Sequence, residues 1–295
     1  MGASVELIDG SERPMDFPVL FVKTVLLRPY VFVFLAVFLF ASIQTMGRTR
    51  TLVFWFGTWI TAFLSEFSST RNGFPYGWYH YTESTRGQEL FISNVPFMDS
   101  LSYSFLLYAA YSLALFTVCP LRRKGWDFQI VDDFRIRSGW RVLLLTTLYM
   151  TMIDVIIDPV ALQGERWFLG KIYFYDYRGH YFGVPLSNAL GWGVTGFAAT
   201  LLYQTIERRW LGPLFNDRGI RVFGLRGYLG IGLYFGVLLF NLCVTAWIQE
   251  WGLLIAGCFI FLMPTVLFIL RFADPRIQAT EDEWQRHLRE FRVQP

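Results

Sequence analysis

The sequence predicts an all-α integral membrane protein, built as a bundle of about seven transmembrane helices. Of its 295 residues, 54% are hydrophobic and only 17% are charged, so the chain lacks the polar surface that a water-soluble protein of this length needs. The mean hydropathy is positive, at +0.38. The apolar residues are also clustered, in runs long enough to cross the ~30 Å hydrocarbon core of a bilayer as helices.

Seven apolar runs are the predicted spans, and each is close to the ~17–25 residues that a transmembrane helix requires. In chain order they cover residues 30–46, 52–66, 98–118, 142–158, 185–203, 228–247 and 253–270. The apolar segment 18–27 is interrupted by Lys23 and is predicted to be an interfacial helix leading into the first span. The chain is thus divided into an N-terminal segment (1–29), a membrane domain (30–271) and an amphipathic tail (272–295).

The distribution of basic residues predicts how the bundle is oriented. Of the 26 Lys and Arg residues, 18 fall on the side of the C-terminus and eight on the side of the N-terminus. Because cytoplasmic connections are enriched in Lys and Arg, the N-terminus is expected outside the cell membrane and the C-terminus in the cytoplasm. In the tail, Thr280 and Glu283 match a capping box, which predicts a cytoplasmic surface helix without a chemical role.

Several functional classes find no support in the sequence. The net charge of +3 reflects topology in a membrane protein and does not indicate nucleic-acid binding. The three cysteines, Cys119, Cys243 and Cys258, lack the paired spacing of a disulfide framework or a zinc site. His80 and His180 do not form a ligand pattern with the nearby acids, so neither a metal nor a cofactor is expected.

Acidic residues lie near the outer ends of two predicted spans: Glu66 in the second, and Asp154 and Asp158 in the fourth. Asp154 and Asp158 are four residues apart and therefore share one helical face. Acids within a membrane usually face the bundle interior, and burial beside a like charge disfavours ionisation. One of this pair is therefore expected to keep its proton near neutral pH and to act as a proton donor. The competing interpretation is structural, with Asp158 paired to Arg166 and Glu66 paired to Arg71.

The connections that follow these two spans end in the same short pattern, VPFMD at residues 95–99 and VPLSN at residues 184–188. We interpret the two segments as copies of one device. Proline suits the first turn of a helix, where its missing N–H costs nothing. Asp99 and Asn188 are therefore expected about one turn inside the membrane, on the same side as the acids.

The same two connections are rich in aromatic residues. They contain GFPYGWYHY (73–81) and IYFYDYRGHYFG (172–183). Tyr173, Tyr175 and Tyr177 alternate at period two, which predicts a small hairpin with its tyrosines on one face, forming a lid over the outer end of the bundle. The competing interpretation is the interfacial belt of Tyr and Trp common to membrane proteins of every function. The candidates for substrate contact are Tyr76, Trp78, Tyr79, Tyr81, Tyr173 and Tyr175.

Three segments resemble the membrane carotenoid-biosynthesis protein family, which includes the CruF-type carotenoid 1,2-hydratases and the bisanhydrobacterioruberin hydratases. They are FPYGWYHY (74–81), DVIIDP (154–159) and GHYFGVPLSNALGW (179–192), and the resemblance covers about residues 64–192. It implies a hydro-lyase that adds water to the terminal C1,C2 double bond of an acyclic carotenoid end group, giving a tertiary alcohol. The implied partners are a carotenoid within the lipid bilayer, water, and other membrane enzymes of the carotenoid pathway.

That chemistry gives the candidate residues roles. Protonation of the alkene at its less substituted carbon gives a tertiary cation, which water then captures. One acid among Glu66, Asp154 and Asp158 is expected to donate the proton, and the sequence leaves open which one. Another carboxylate, with Asn188 or Asp99, is expected to place and deprotonate the water. Tyr and Trp side chains of the two connections are expected to stabilise the cation through their ring faces.

Two alternatives remain open from the sequence. A membrane prenyl or carotenoid cyclase begins with the same alkene protonation, and a non-enzymatic lipid carrier or transporter would also suit repeated halves and buried acids. A retinal protein is excluded because the lysines, Lys23, Lys124 and Lys171, lie outside the last span. A histidine-rich di-iron desaturase is excluded because the chain has only three histidines.

Overall fold

The computed structural model describes residues 17–211 and 222–291, and most of them are helical. The α-helices of these ranges are α1 (Phe17–Leu27), α2 (Pro29–Met46), α3 (Arg48–Asn72), α4 (Phe97–Val118), α5 (Phe134–Arg137), α6 (Trp140–Ala161), α7 (Leu186–Ile206), α8 (Arg226–Trp247), α9 (Trp251–Ala273) and α10 (Glu281–Phe291). Each of the seven predicted spans coincides with a long helix, from α2 to α4 and from α6 to α9.

Five of these helices, α2, α4, α6, α8 and α9, are long and apolar enough to cross a membrane. Helices α3 and α7 have the length but a lower hydropathy. Arginines and Glu66 interrupt α3, and glycines, threonines and amides interrupt α7. A helical fold of membrane type is therefore confirmed. The count of seven spans, the orientation and the division of the chain into an N-terminal segment, a membrane domain and a tail stay predictions.

Short strands occur only in the connections of the described ranges, where they pair two by two without forming a closed sheet. They are β1 (Tyr79–Tyr81), β2 (Phe91–Ile92), β3 (Val95–Pro96), β4 (Leu121–Lys124), β5 (Asp127–Ile130) and β6 (Tyr173–Tyr175). Strands β2 and β3 form one hairpin and β4 and β5 another, whereas β1 pairs with the distant β6.

Helix α4 occupies the centre of the bundle. It packs against α2, α3, α6 and α8, and 78% of its most apolar stretch is buried. A helix enclosed on all sides needs no polar face. Most residues of α4 are accordingly apolar, aromatic or small. Its small side chains allow close approach: a Cβ added to Gly230 of α8 would lie 2.2 Å from Ser112 Oγ of α4. By contrast, α9 is only 17% buried and lies at the periphery.

The two repeated patterns both begin a helix. Pro96 is the N-cap residue of α4 and Pro185 is the N-cap residue of α7, one position before the first turn in which they were expected. Asp99 and Asn188 are each the third residue of their helix, and both side chains line one cavity.

Helix α5 and the tail helix α10 close the other end of the bundle. Glu207, just after α7, accepts hydrogen bonds from Arg50 Nε at 3.1 Å and from Arg137 Nε at 2.8 Å. Arg137 also pairs with Glu290 of α10 at 2.8 Å. These side chains connect α3, α5, α7 and α10 through one buried set of charges.

The tail helix begins at the predicted capping box. The Thr280 N–H donates to Glu283 Oε2 at 2.8 Å, and the Glu283 N–H donates to Thr280 Oγ1 at 3.3 Å. The helix is docked rather than free, because His287 is 1% exposed and lies 3.2 Å from Asp132 Oδ1. Burial opposes ionisation of Asp132, but His287, Arg137 and Arg50 together outweigh it and lower the pKa of Asp132. The cytoplasmic location of this helix stays a prediction.

A buried ion pair holds the connection between α3 and α4 against the start of α2. Arg28 and Glu89 meet at 3.0 Å with fully buried side chains, and Arg28 also donates to the carbonyl oxygen of Leu169 in the other connection. The Leu90 N–H donates to Thr24 Oγ1 of α1 at 2.8 Å. Both long connections are therefore fixed to the α1–α2 junction, whereas the interfacial location of α1 stays a prediction.

Candidate active site

Acidic side chains from three helices converge inside the bundle. Glu66 of α3, Asp99 of α4 and Asp158 of α6 line a cavity of about 110 Å³ and also an adjoining cavity of about 60 Å³. Glu66 is 8% exposed and Asp158 is 7% exposed. We call the two adjoining hollows the acid cavity. The structure thus brings together three acids that the sequence singled out, each from a different helix.

An amide joins the two acids of α6. Asn188 Nδ2 donates to Asp154 Oδ1 at 2.9 Å and to Asp158 Oδ2 at 2.6 Å. A side-chain amide has two N–H donors, so this single group supplies one to each carboxyl. Asn188 and Asp158 line the acid cavity, whereas Asp154 lines a separate cleft beside the start of α7. Asp154 and Asp158 therefore both contact α7, but Asp158 faces the acid cavity and Asp154 faces the cleft.

The structural alternative for these acids, in which Asp158 pairs with Arg166 and Glu66 pairs with Arg71, is wrong. Arg166 forms an ion pair with Glu250 rather than with Asp158. Arg71 donates to side chains of the first connection rather than to Glu66. Glu66 Oε2 is buried and has no hydrogen-bond partner among the described residues. Neither arginine neutralises the acids of the cavity.

Tyrosine hydroxyls of the two connections reach down to the acids. Tyr81 donates to Asp99 Oδ2 at 2.7 Å, and Tyr175 lies 3.2 Å from Asp158 Oδ2 as a donor. Tyr79 Oη lies 3.3 Å from Tyr81 Oη. Burial, and after it the neighbouring Asp99, raises the pKa of Tyr81 well above its usual value, and burial with Asp158 does the same for Tyr175. Both hydroxyls therefore stay protonated and can donate at neutral pH.

The lid over the acid cavity is built from both connections, and the predicted hairpin of Tyr173, Tyr175 and Tyr177 is wrong. Strand β6 pairs antiparallel with β1, which places Tyr79 opposite Tyr175 and Tyr81 opposite Tyr173. The period-two spacing of the tyrosines correctly predicted that Tyr173 and Tyr175 lie on one face of a strand. The spacing does not specify which strand is the partner. Tyr177 lies beyond the strand and is 52% exposed.

The structure brings one of the two remaining aromatic candidates to the acid cavity. Tyr76 lines the cavity, and its N–H donates to Ser69 Oγ at 2.9 Å. A Cβ added to Gly191 would lie 2.7 Å from the Cα of Tyr76, so α7 packs directly on this turn. Trp78 is 45% exposed and lines neither part of the cavity, because it folds back over Gly73 at the end of α3.

A protein-family model described as carotenoid biosynthesis protein matches residues 25–264. The chain belongs to the carotenoid biosynthesis protein family. The matched region contains the whole acid cavity and extends beyond residues 64–192 at both ends. No curated protein and no solved structure gives a significant match. Family membership confirms the resemblance to carotenoid-biosynthesis proteins, whereas the CruF type stays a prediction. The five apolar helices are consistent with a membrane protein.

In this carotenoid biosynthesis protein the acid cavity extends away from the lid, between α2 and α8. Tyr30 and Phe34 of α2 and Phe240 of α8 line this part. The rings of Tyr30 and Phe240 stack at 5.5 Å, and Phe34 meets Phe240 edge-on at 5.7 Å. The sequence did not single out these residues, because nothing distinguishes them from other apolar residues of a span.

Trp192 is a further cavity residue that the sequence reasoning missed. It lines both parts of the acid cavity and stacks on Tyr103 at 4.8 Å. Its backbone carbonyl accepts a hydrogen bond from Tyr103 Oη at 2.9 Å. A usable signal was present, since Trp192 follows Asn188 by four residues and therefore shares its helical face.

The histidines lie apart from this cavity. His80 Nε2 contacts Asp176 at 2.9 Å, and both side chains are about half exposed. Within residues 17–211 and 222–291, no group of three or more His, Cys, Asp or Glu side chains is arranged to hold a metal ion.

Proposed function

We propose that this protein is a carotenoid hydratase, which adds water to the terminal C1,C2 double bond of an acyclic carotenoid end group and forms a tertiary alcohol. One observation carries the proposal: carboxyl groups of three helices face a lidded, largely apolar cavity in a protein of carotenoid biosynthesis. An isoprenoid alkene offers no group for polar recognition, so a strong proton donor in an apolar slot is what its activation requires.

The reaction is balanced by two proton transfers. A carboxylic acid gives its proton to the less substituted alkene carbon, so the π bond breaks and a tertiary cation forms at the other carbon. The oxygen of a water molecule bonds to that carbon and loses a proton to a carboxylate. The net change is addition of one water, and the acid is restored when the proton returns to it.

Glu66 is the proton donor in this proposal. Its Oε2 atom is buried without a hydrogen-bond partner in the part of the chain that the structure describes. A buried carboxyl group with an oxygen atom that receives no hydrogen bond is harder to ionise than one whose two oxygen atoms are both hydrogen-bonded. Glu66 also lines both parts of the acid cavity, where an alkene carbon can approach it.

Asp158 is the acceptor for the proton of the attacking water. Its Oδ2 atom receives hydrogen bonds from Asn188 and Tyr175, and donors of this kind stabilise a carboxylate. Asp99, which accepts from Tyr81, faces the same space and helps to hold the water. The donor and the acceptor thus come from different helices, on two sides of one cavity.

Aromatic rings surround the position where positive charge would develop. Tyr79 and Tyr173 of the lid pack edge-on at 6.0 Å, and Trp192 lines the same space from α7. The face of an aromatic ring carries partial negative charge and stabilises a nearby cation. Tyr30, Phe34 and Phe240 line the part of the acid cavity between α2 and α8, and this apolar lining suits the polyene chain of the substrate.

The proposal also locates the protein in the cell membrane. The more hydrophilic helices α3 and α7 would cross the bilayer beside their five more apolar neighbours, which gives seven spans with the N-terminus outside. The carotenoid would enter the cavity from the lipid, and other membrane enzymes of the pathway would supply it.

Acid-to-amide variants test the proposal in a host that accumulates an acyclic carotenoid. We expect Glu66→Gln and Asp158→Asn each to reduce formation of the hydroxylated carotenoid by about 100-fold or more, the usual minimum effect of a lost general acid or base. Glu165→Gln, an exposed site in the second connection, is the matched control and should keep full conversion. Full conversion by Glu66→Gln, Asp158→Asn and Asp99→Asn alike would contradict the proposal.

A carotenoid or prenyl cyclase is the second candidate, because the same acid and the same aromatic rings would start ring closure. The two reactions differ in their products: hydration adds an oxygen atom and cyclisation does not. A carrier without enzymatic activity would leave the carotenoid unchanged. Mass spectrometry of pigments from the same host therefore separates all three.

A further inference from the structure

A second hollow lies on the other side of Asp154. This cleft has a volume of about 650 Å³ and is enclosed by α6, the first turn of α7 and the segment 177–187. Asp154 is the one acid among its lining residues, and neither Asp158 nor Asn188 lines it. None of the residues that line the cleft also lines the acid cavity, and the hydrogen bonds from Asn188 to Asp154 and Asp158 link the two linings.

The rim of this cleft is polar. Tyr177, Arg178 and His180 line it and are exposed. Charged and hydroxyl-bearing side chains at the end of a helical bundle lie in the aqueous or headgroup layer. Most of the remaining lining is apolar and includes Val155 and Ala189, and Asp154 lines the same cleft. The cleft thus connects a polar surface with a buried carboxyl group.

An unsatisfied hydroxyl lies inside the cleft. Tyr181 Oη is buried and has no hydrogen-bond partner within the described ranges. Such a group destabilises the fold unless something bonds to it, and an ordered water molecule is a partner that a cleft of this size has room for. Burial, with Asp154 adding to it, raises the pKa of Tyr181, so this hydroxyl stays a donor.

We propose that this cleft is the entrance through which water reaches the acid cluster. The inference rests on the proposed hydration, which consumes one water per turnover and cannot draw it from the lipid. Tyr181 and Asp154 hold the incoming water, and the Asp154–Asn188 contact is the boundary that it crosses. Hydrocarbon and water would then reach the reacting carbon from opposite sides, so the acid cavity stays closed to bulk solvent.

Thiol labelling tests the cleft independently of any reaction. Ala189→Cys places a thiol in its wall, and Val194→Cys, on the same helix and 45% exposed, is the matched control facing lipid. Both variants are incorporated in lipid nanodiscs and treated with a charged, membrane-impermeant thiosulfonate, with the unsubstituted chain as background for its own cysteines. We expect Ala189→Cys to be labelled and Val194→Cys to stay at background. Background labelling of Ala189→Cys would overturn the proposal.

A variant that fills the cleft with a larger side chain tests the role of the cleft in the reaction. We expect Ala189→Trp to lose most of the hydration rate while carotenoid still co-purifies with it, and Val194→Trp to keep the full rate. An unchanged rate in Ala189→Trp would overturn the proposal even if the thiol is labelled. If the unsubstituted protein forms no hydrated carotenoid at all, the proposed function fails, and the labelling experiment still decides whether the cleft holds water.

Discussion

The side-chain amide of Asn188 donates a 2.6 Å hydrogen bond to Asp158, and this contact distinguishes the VPLSN segment (184–188) from the similar VPFMD segment (95–99). Asn188 is the third residue of α7, and Asp99 is the third residue of α4. An amide donates hydrogen bonds, whereas a carboxylate only accepts them. The first copy therefore accepts a bond from Tyr81, and the second gives bonds to acids. Asp99 and Asn188 thus have the same position in their helices but opposite hydrogen-bonding roles, because one carries a carboxyl group and the other an amide.

Replacement of Asn188 by leucine tests this donor. Asn188→Leu keeps the number and branching of the side-chain heavy atoms but removes both N–H groups, so Asp154 and Asp158 lose their shared partner. We expect formation of the hydroxylated product to fall about 100-fold or more and the free energy of unfolding to fall by ~1–3 kcal/mol. Pigment extraction and thermal unfolding in detergent measure the two effects. Ser187→Ala, its neighbour with an exposed hydrogen bond to Tyr177, should change neither, and normal conversion by Asn188→Leu would refute the role.

Two glycines of α7 should respond to alanine in opposite ways. A Cβ at Gly191 would lie 2.7 Å from the backbone of Tyr76, whereas at Gly193 its nearest neighbour is Thr151 Oγ1 at 3.4 Å. We expect Gly191→Ala to destabilise the protein by ~1–3 kcal/mol through overpacking. Gly193→Ala should be neutral or stabilise by up to ~1 kcal/mol, because alanine favours the helix. Equal melting temperatures for the two variants would show that α7 does not pack on the Tyr76 turn.

The buried tyrosines of the lid predict a loss of stability at high pH. Burial raises the pKa values of Tyr79, Tyr81, Tyr173 and Tyr175 well above their usual range. Above the ordinary tyrosine pKa of ~10, unfolding releases protons that the folded lid retains. The stability is therefore fully present below pH ~10 and is lost as the pH rises towards the folded-state values. Ultraviolet titration should show fewer tyrosinates in the folded protein than in the denatured chain at the same pH, and identical titration curves would contradict this.

The charge cluster at the other end should matter for stability rather than for the reaction. Glu207→Ala removes the carboxylate that Arg50 and Arg137 share. Breaking a buried pair costs ~3–5 kcal/mol, and we expect a loss of this size in chemical unfolding. Product formed per folded molecule should stay normal, because Glu207 is outside the acid cavity. Glu165→Ala, which is exposed, is the control, and a selective loss of conversion in Glu207→Ala would show that the cluster acts on the reaction.

The positions of the long helices could be predicted because hydropathy is a local property. Each apolar run lies within a helix, and the repeated Val-Pro pattern placed Asp99 and Asn188 at helix starts. The acids were found for the same reason, since carboxyl groups in apolar runs are costly and stand out in the sequence.

The contacts between distant segments could not be predicted in this way. The alternation in β6 fits a hairpin as well as it fits pairing with β1, more than 90 residues earlier. Nothing in the sequence separates Trp78, which points outwards, from Tyr76, which points into the cavity. Tyr30 and Phe240 became recognisable only when α2 and α8 were seen to meet around the acid cavity.

The most direct test of the central claim is the origin of the oxygen in the product. Purified protein in lipid vesicles is given an acyclic carotenoid in heavy-oxygen water, and the pigments are analysed by mass spectrometry. The account predicts a tertiary alcohol with one labelled oxygen for each hydrated end, and loss of this product in Glu66→Gln, which should still bind the carotenoid. A bound but unchanged carotenoid, a cyclised product without oxygen, or full labelling by Glu66→Gln would contradict it.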